Sequence, residues 1–135
     1  MSGRPIIVHH LGHAVAALGA AKALDVPVTL RSAPGAAAYL GSAVFRDMIA
    51  AALAEVPGVE ARAVLDCGDA PGHALNALRQ GVGAVRLDAP SDVRVRVGDI
   101  ARQLGAALDD DAAPALDLLG ADDPSAASRH WLGGG

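Results

Sequence analysis

Three histidines near the start of the chain, His9, His10 and His13, and a second group in its middle, Asp66, Cys67, Asp69 and His73, are the side chains able to move protons, attack or bind a metal. Neutral imidazoles and carboxylates are usual ligands of divalent cations, and His9 and His13, four apart, can converge from a strand end and a first helical turn. With Asp66 they form a candidate divalent-metal set, although HHxxxH is no defined zinc motif and no glutamate stands as it would in HExxH. The same residues fit metal-free proton transfer, with His9 or His73 as acid or base and Asp66 orienting it. Cys67 precedes a helix start, where a dipole lowers a thiol pKa, but a lone cysteine behind a buried strand is more often a small hydrophobe. Arg31, Ser32, Cys67, Asp69 and Asp88 make up a candidate ligand-binding set. The glycine-containing helix starts at Gly35 and at Gly68 to Gly72 offer backbone N–H groups to an anion without matching a P-loop or GxGxxG. A purely structural reading is also open: His10 faces solvent, His9 is satisfied by backbone, and His13 and His73 cap helix starts.

The elements that must position these groups read most plainly over residues 62 to 87, as strand, loop, helix, tight turn, strand. Ala63, Val64 and Leu65 are a short apolar run that stops at Asp66, as a strand buried on both faces would. Asp69 is the expected N-cap, Pro71 fits the first turn, and Gly81 closes the helix. Ala74, Leu75, Leu78 and Val82 give that helix one apolar side. Earlier in the chain, Ile6, Ile7 and Val8 make a first strand, 14 to 24 a small-residue helix, and Val26, Val28 and Leu30 a second strand. A helix is expected over 37 to 55, stopped by Pro57-Gly58. Val93, Val97, Ile100, Ala101 and Leu104 favour a helix over an edge strand, with Ser91 as cap and Gly105 as stop. Ala106 to Leu108 read as a short fifth strand. The domain is therefore expected over 1 to 108, and 109 to 135, acidic and then rich in Pro, Ser and Gly, as a partly disordered tail that Leu116, Leu118, Leu119 and Trp131 alone could anchor.

Four or five parallel strands alternating with helices define an α/β fold, with right-handed crossovers. Two architectures satisfy it: a flavodoxin-like open sheet of order 2-1-3-4-5, or half of a (βα)8 barrel. In both, the carboxyl ends of the strands share one rim, which would gather the residues named above. In the open-sheet order the first and third strands are neighbours, setting the early histidines opposite Asp66.

The runs VTLRSAPGAAAYLG and VLDCGDAPGHALNALRQGV resemble aldolase-type half-barrel proteins of bacteria, over about residues 5 to 108. That resemblance implies a (βα)4 half-barrel completed by a second copy. Class I aldolases of that type form a Schiff base with a lysine on a barrel strand; the one lysine here, Lys22, falls in the first helix.

Composition narrows the function classes. The chain has 135 residues, room for one domain, and is 52% hydrophobic with one Trp, one Tyr and one Phe, so its core is built from Ala, Val, Leu and Ile. Such a core buries little area per residue, which makes self-association an expectation. A net charge of −4, with ten Arg and one Lys scattered, gives neither the basic stripe nor the aromatic platform of a nucleic-acid binder. No run approaches the roughly 20 apolar residues of a membrane span, and no signal peptide is evident. One cysteine permits no intramolecular disulfide, which points to the cytoplasm. The expectation is a cytoplasmic, self-associating protein, lyase- or isomerase-like, with a His/Asp site for a small anionic ligand or a divalent metal. The alternative is a non-catalytic scaffold of the same fold.

Overall fold

The computed structural model describes residues 3–134. In chain order the elements are β1 (Arg4–Ile7), α1 (Leu11–Leu24), β2 (Val28–Arg31), α2 (Ser42–Glu55), β3 (Ala61–Asp66), α3 (Pro71–Arg79), β4 (Ala84–Arg86), α4 (Ser91–Gln103), β5 (Ala107–Leu108), β6 (Leu116–Asp117) and α5 (Pro124–Leu132). The strands form one all-parallel sheet in the order β5-β4-β3-β2-β1-β6. The α/β class and the strand–helix alternation are as the sequence led us to expect. The strand order is not 2-1-3-4-5: β2 lies between β1 and β3, and β1 takes β6 on its other side.

The chain divides into two compact units, one of Met1–Arg31, Asp47–Arg62 and Ala113–Gly135, the other of Ser32–Arg46 and Ala63–Ala112. In the first, Ile6 and Ile7 of β1 stand in register with Leu30 and Arg31 of β2 on one side and with Leu116 and Asp117 of β6 on the other. Its core is Ile6, Val8, Leu18, Leu30 and Leu118, all essentially inaccessible. Helix α1 buries His13, Ala14, Ala17, Leu18, Ala20 and Ala21, more than one stripe of its surface. The reason is α5, which packs along it; the alanines let two helix backbones approach closely, as larger side chains would not. The α1 terminus closes on Asp25, the one described non-glycine residue at positive φ (53°), whose N–H reaches back to Ala21 and Lys22. Asp is among the few residue types that tolerate this left-handed conformation. Lys22 is a structural tie, its Nζ donating to the Pro57 carbonyl at 3.0 Å.

The segment from 109 onward, expected as a tail, carries β6 and α5; Gly135 lies outside the described residues. Asp123 caps α5 by accepting from Ala126 N at 3.0 Å, with Pro124 in the first turn. Trp131 fixes the helix to the start of the chain: its Nε1 donates to Pro5 O at 3.1 Å, and the Arg4 guanidinium stacks on the ring at 3.6 Å.

In the second unit, α3 packs on α4 and β4, around Val64, Leu65, Ala77, Leu78, Val85 and Val97. Residues 91–103 are helical, and the fifth strand is two residues long. The boundaries differ locally from expectation. Helix α3 begins at Pro71 with Ala70, not Asp69, at its cap, because the rigid proline already supplies a helical φ. Ser91 is the first residue of α4, behind Pro90. The helix expected over 37 to 55 is interrupted: a short 3-10 turn over Ala36–Ala38 ends before Gly41, whose φ of 85° no helix accepts, and α2 starts afresh at Ser42.

Candidate functional site

Two groups of chemistry-bearing residues form, one in each unit. The first sits where β1 and β6 end. Because Ile7 and Asp117 are in register on adjacent parallel strands, the chain leaving β1 brings His9 over the Asp117 carboxylate. His9 Nε2 lies 2.6 Å from Asp117 Oδ1, with the imidazole 21% and the carboxylate 46% exposed. The same Oδ1 accepts the Leu119 N–H at 2.9 Å. Burial alone would push the Asp117 carboxyl up, but the Leu119 N–H, the His9 contact and the charges of His9 and His13 outweigh it and hold it below its usual range.

Around this pair the other two early histidines are tied into the backbone. The His9 N–H donates to His13 Nδ1 at 3.1 Å, and the His13 N–H donates to His10 Nδ1 at 3.3 Å, which makes His10 the cap of α1. The rings of His10 and His13 lie 3.8 Å apart, those of His9 and His13 5.7 Å apart and edge to face. Burial first, then the neighbouring His10 and His9, lower the His13 pKa, against a smaller opposing pull from Asp117. His13 is thus neutral at pH 7, as a ring accepting a backbone N–H must be. The helix cap expected from His13 is supplied by His10.

The second group surrounds the end of β3. Asp66 Oδ1 accepts from Gly35 N and Gly68 N, both at 2.9 Å, while its own N–H donates to Ser32 Oγ at 2.8 Å. Its Oδ2 is 4.0 Å from Arg86 Nε. Arg86 in turn holds Asp109 Oδ2 and the Asp111 carbonyl, each at 2.8 Å. The Asp66 carboxylate is therefore spent on shaping the loops after β2 and β3. Beside it opens a cleft of ≈ 660 Å³ lined by Asp66, Asp69, Asp88, Asp109 and Asp110 against Arg86 and Arg94. Five carboxylates against two guanidinium groups make its wall acidic, a poor host for an anion.

Of the ligand-binding candidates, Asp69 and Asp88 line that cleft. Ser32 is buried, its hydroxyl engaged with Asp66 N and the Ala33 carbonyl. Cys67 is buried, its thiol pushed up to about 12 by burial and secondarily by Asp66, and its Sγ is directed at the Leu65 carbonyl. It is a small hydrophobe here, not a thiolate. His73 is exposed on the first turn of α3. Arg31 is buried at the end of β2, in register with Ile7 and so in one row with Asp117.

The proposed metal set is not assembled. Among the described residues no three His, Cys, Asp or Glu side chains are grouped to hold a metal ion. The Nδ1 atoms of His10 and His13 are both engaged with backbone N–H groups, and His9 Nε2 with the Asp117 carboxylate.

Asp117 is not among the candidates the sequence offers, because its strand is two residues long and shows no alternation to read. Leu65-Asp66 and Leu116-Asp117 both end a strand on an aspartate whose Oδ1 accepts the N–H two residues on. No protein-family model matches the chain, and no curated protein matches it.

Proposed function

We propose that this chain is a proton-transfer enzyme of the lyase or isomerase kind, with His9 as its base and Asp117 as the group that orients it. The observation that carries the reading is the 2.6 Å contact from His9 Nε2 to the Asp117 carboxylate. An ionised carboxylate accepts only, so the His9 proton sits on Nε2 and the lone pair on Nδ1 is available; Nδ1 has no partner among the described residues. This is the arrangement in which a carboxylate fixes the tautomer of a catalytic imidazole and stabilises the imidazolium formed when it takes a proton.

That geometry supports proton transfer at carbon as the reaction class. His9 Nδ1 removes a proton from carbon next to a carbonyl, the electron pair passes to the carbonyl oxygen, and the imidazolium returns the proton to the same or a neighbouring atom. A small anionic substrate suits the site, with Arg31 supplying the positive charge: residues in register on parallel strands share a face, which sets Arg31 on the face of Asp117. The half-barrel reading is part of the proposal. It is supported by β2, β3, β4 and β5 each lying beside its predecessor, as successive βα units of a barrel do. Pairing of two copies is supported by exposed Ile100 and Leu104, four apart and so on one side of the end of α4. A cytoplasmic setting agrees with the free thiol of Cys67.

The test is proton exchange. Small 2-oxo acids incubated with the protein in D2O lose the proton NMR signal of the carbon beside the carbonyl, and His9→Gln abolishes the effect. No exchange above buffer with any acid of the panel, or exchange untouched by His9→Gln, would end the enzyme reading.

A further inference from the structure

We propose that His13 is the positioning residue of the His9 base, and that the run His9-His10-Leu11-Gly12-His13 is a single device for holding one imidazole still. The inference rests on the reading of His9 as a base. It starts from a hydrogen bond of unusual direction: the His9 backbone N–H donates to a side chain four residues on, His13 Nδ1, at 3.1 Å. This ties the residue that leaves β1 to the first turn of α1, fixing the backbone from which the His9 ring projects toward Asp117.

Each further residue of the run serves that tie. His13 is 6% exposed and can accept only while its Nδ1 is unprotonated, so the ring is held as the Nε2–H form. His10 keeps the His13 ring in place by lying against it at 3.8 Å, while its own Nδ1 accepts the His13 N–H at 3.3 Å. Gly12 leaves room for His10: a Cβ there would come within 3.1 Å of His10 Nδ1 and Cε1. A helix cap alone needs only Ser, Asp or Asn at position 10 and nothing special at 9 or 13. Two imidazoles locked in one tautomer, the buried one anchoring the backbone of a third, are more than capping requires.

The experiment compares His13→Ala with His13→Asn in the full chain, because the Asn amide oxygen stands where Nδ1 stands and can accept the same N–H. The exchange kinetics of the 2-oxo acid with the fastest wild-type rate are measured with the nitrogen NMR signals of the His9 ring. His13→Ala is expected to lower kcat on the order of 10- to 100-fold with KM little changed, and to let the His9 ring average between tautomers. His13→Asn is expected to restore both. Should His13→Ala not fold, Gly12→Ala, whose Cβ would press on the His10 ring at 3.1 Å, gives the same two readouts. Ring signals of His9 that stay as in the wild type when the anchor is lost, or a His13→Asn variant no better than His13→Ala, would overturn the proposal. A wild type that exchanges nothing counts against the enzyme reading alone; the ring signals still decide the role of His13.

Discussion

Asp117→Asn keeps the size of the side chain but replaces a carboxylate by a group that can also donate, so the His9 ring loses its reason to keep the proton on Nε2. Exchange should fall on the order of 10²- to 10⁴-fold, read as the rate of deuterium incorporation, with the fold intact by circular dichroism. Stability should carry its own signature of these residues. His13 lies below its ordinary 6.5 in the folded chain, first because it is buried. The unfolded chain therefore binds that proton more tightly, so the contribution is complete above about pH 6.5 and is lost as pH falls below it. Asp117, lowered from 3.8, contributes stability that is present above that value and lost as pH falls through its folded one. Calorimetry across pH should show a level Tm between pH 7 and 8, a decline below about 6.5 that His13→Asn removes, and a second decline in the acid range. At this scale the early histidines were legible because residue type and spacing alone mark them. Their carboxylate was not, because a strand of two residues shows no alternation to read.

The same shortness governs what could be foreseen of the elements. The buried strands and the helix over residues 91 to 103 declared themselves through apolar runs and helical spacing, since each carries its own hydrophobic face. Strand β6 and helix α5 do not: nine residues of helix are marginal alone and hold their shape by packing on α1. Asp123 followed by Pro124 was a readable helix start, but the Asp, Ser and Gly around it read as a tail. Trp131 is the residue that makes the difference. Trp131→Ala removes the bond to the Pro5 carbonyl, the stacking of Arg4 and the ring itself, and should cost about 2–4 kcal/mol in urea unfolding followed by circular dichroism. Because α5 follows β6 closely, the same substitution should also slow exchange by loosening Asp117.

Across the whole molecule, alternation of strands and helices was enough to establish a parallel α/β sheet, whereas neighbour relations were not. Periodicity says which residues face a core, not which strand lies beside which. Setting the early histidines opposite Asp66 needed β1 beside β3; instead β2 lies between them, and the outer edge of β1 takes a strand from more than a hundred residues later. Asp66 meanwhile serves the loops of its own unit. If exposed Ile100 and Leu104 mark the pairing surface, sedimentation should give a dimer, and Ile100→Asp with Leu104→Asp should give a monomer of unchanged helicity. The most direct test of the account is the long-range nitrogen–proton NMR spectrum of the histidine rings at pH 8. It should show His9 with its proton on Nε2 and a bare Nδ1 in the wild type, and an average of both tautomers in Asp117→Asn. A His9 ring protonated on Nδ1, or one that averages equally in both proteins, would contradict it.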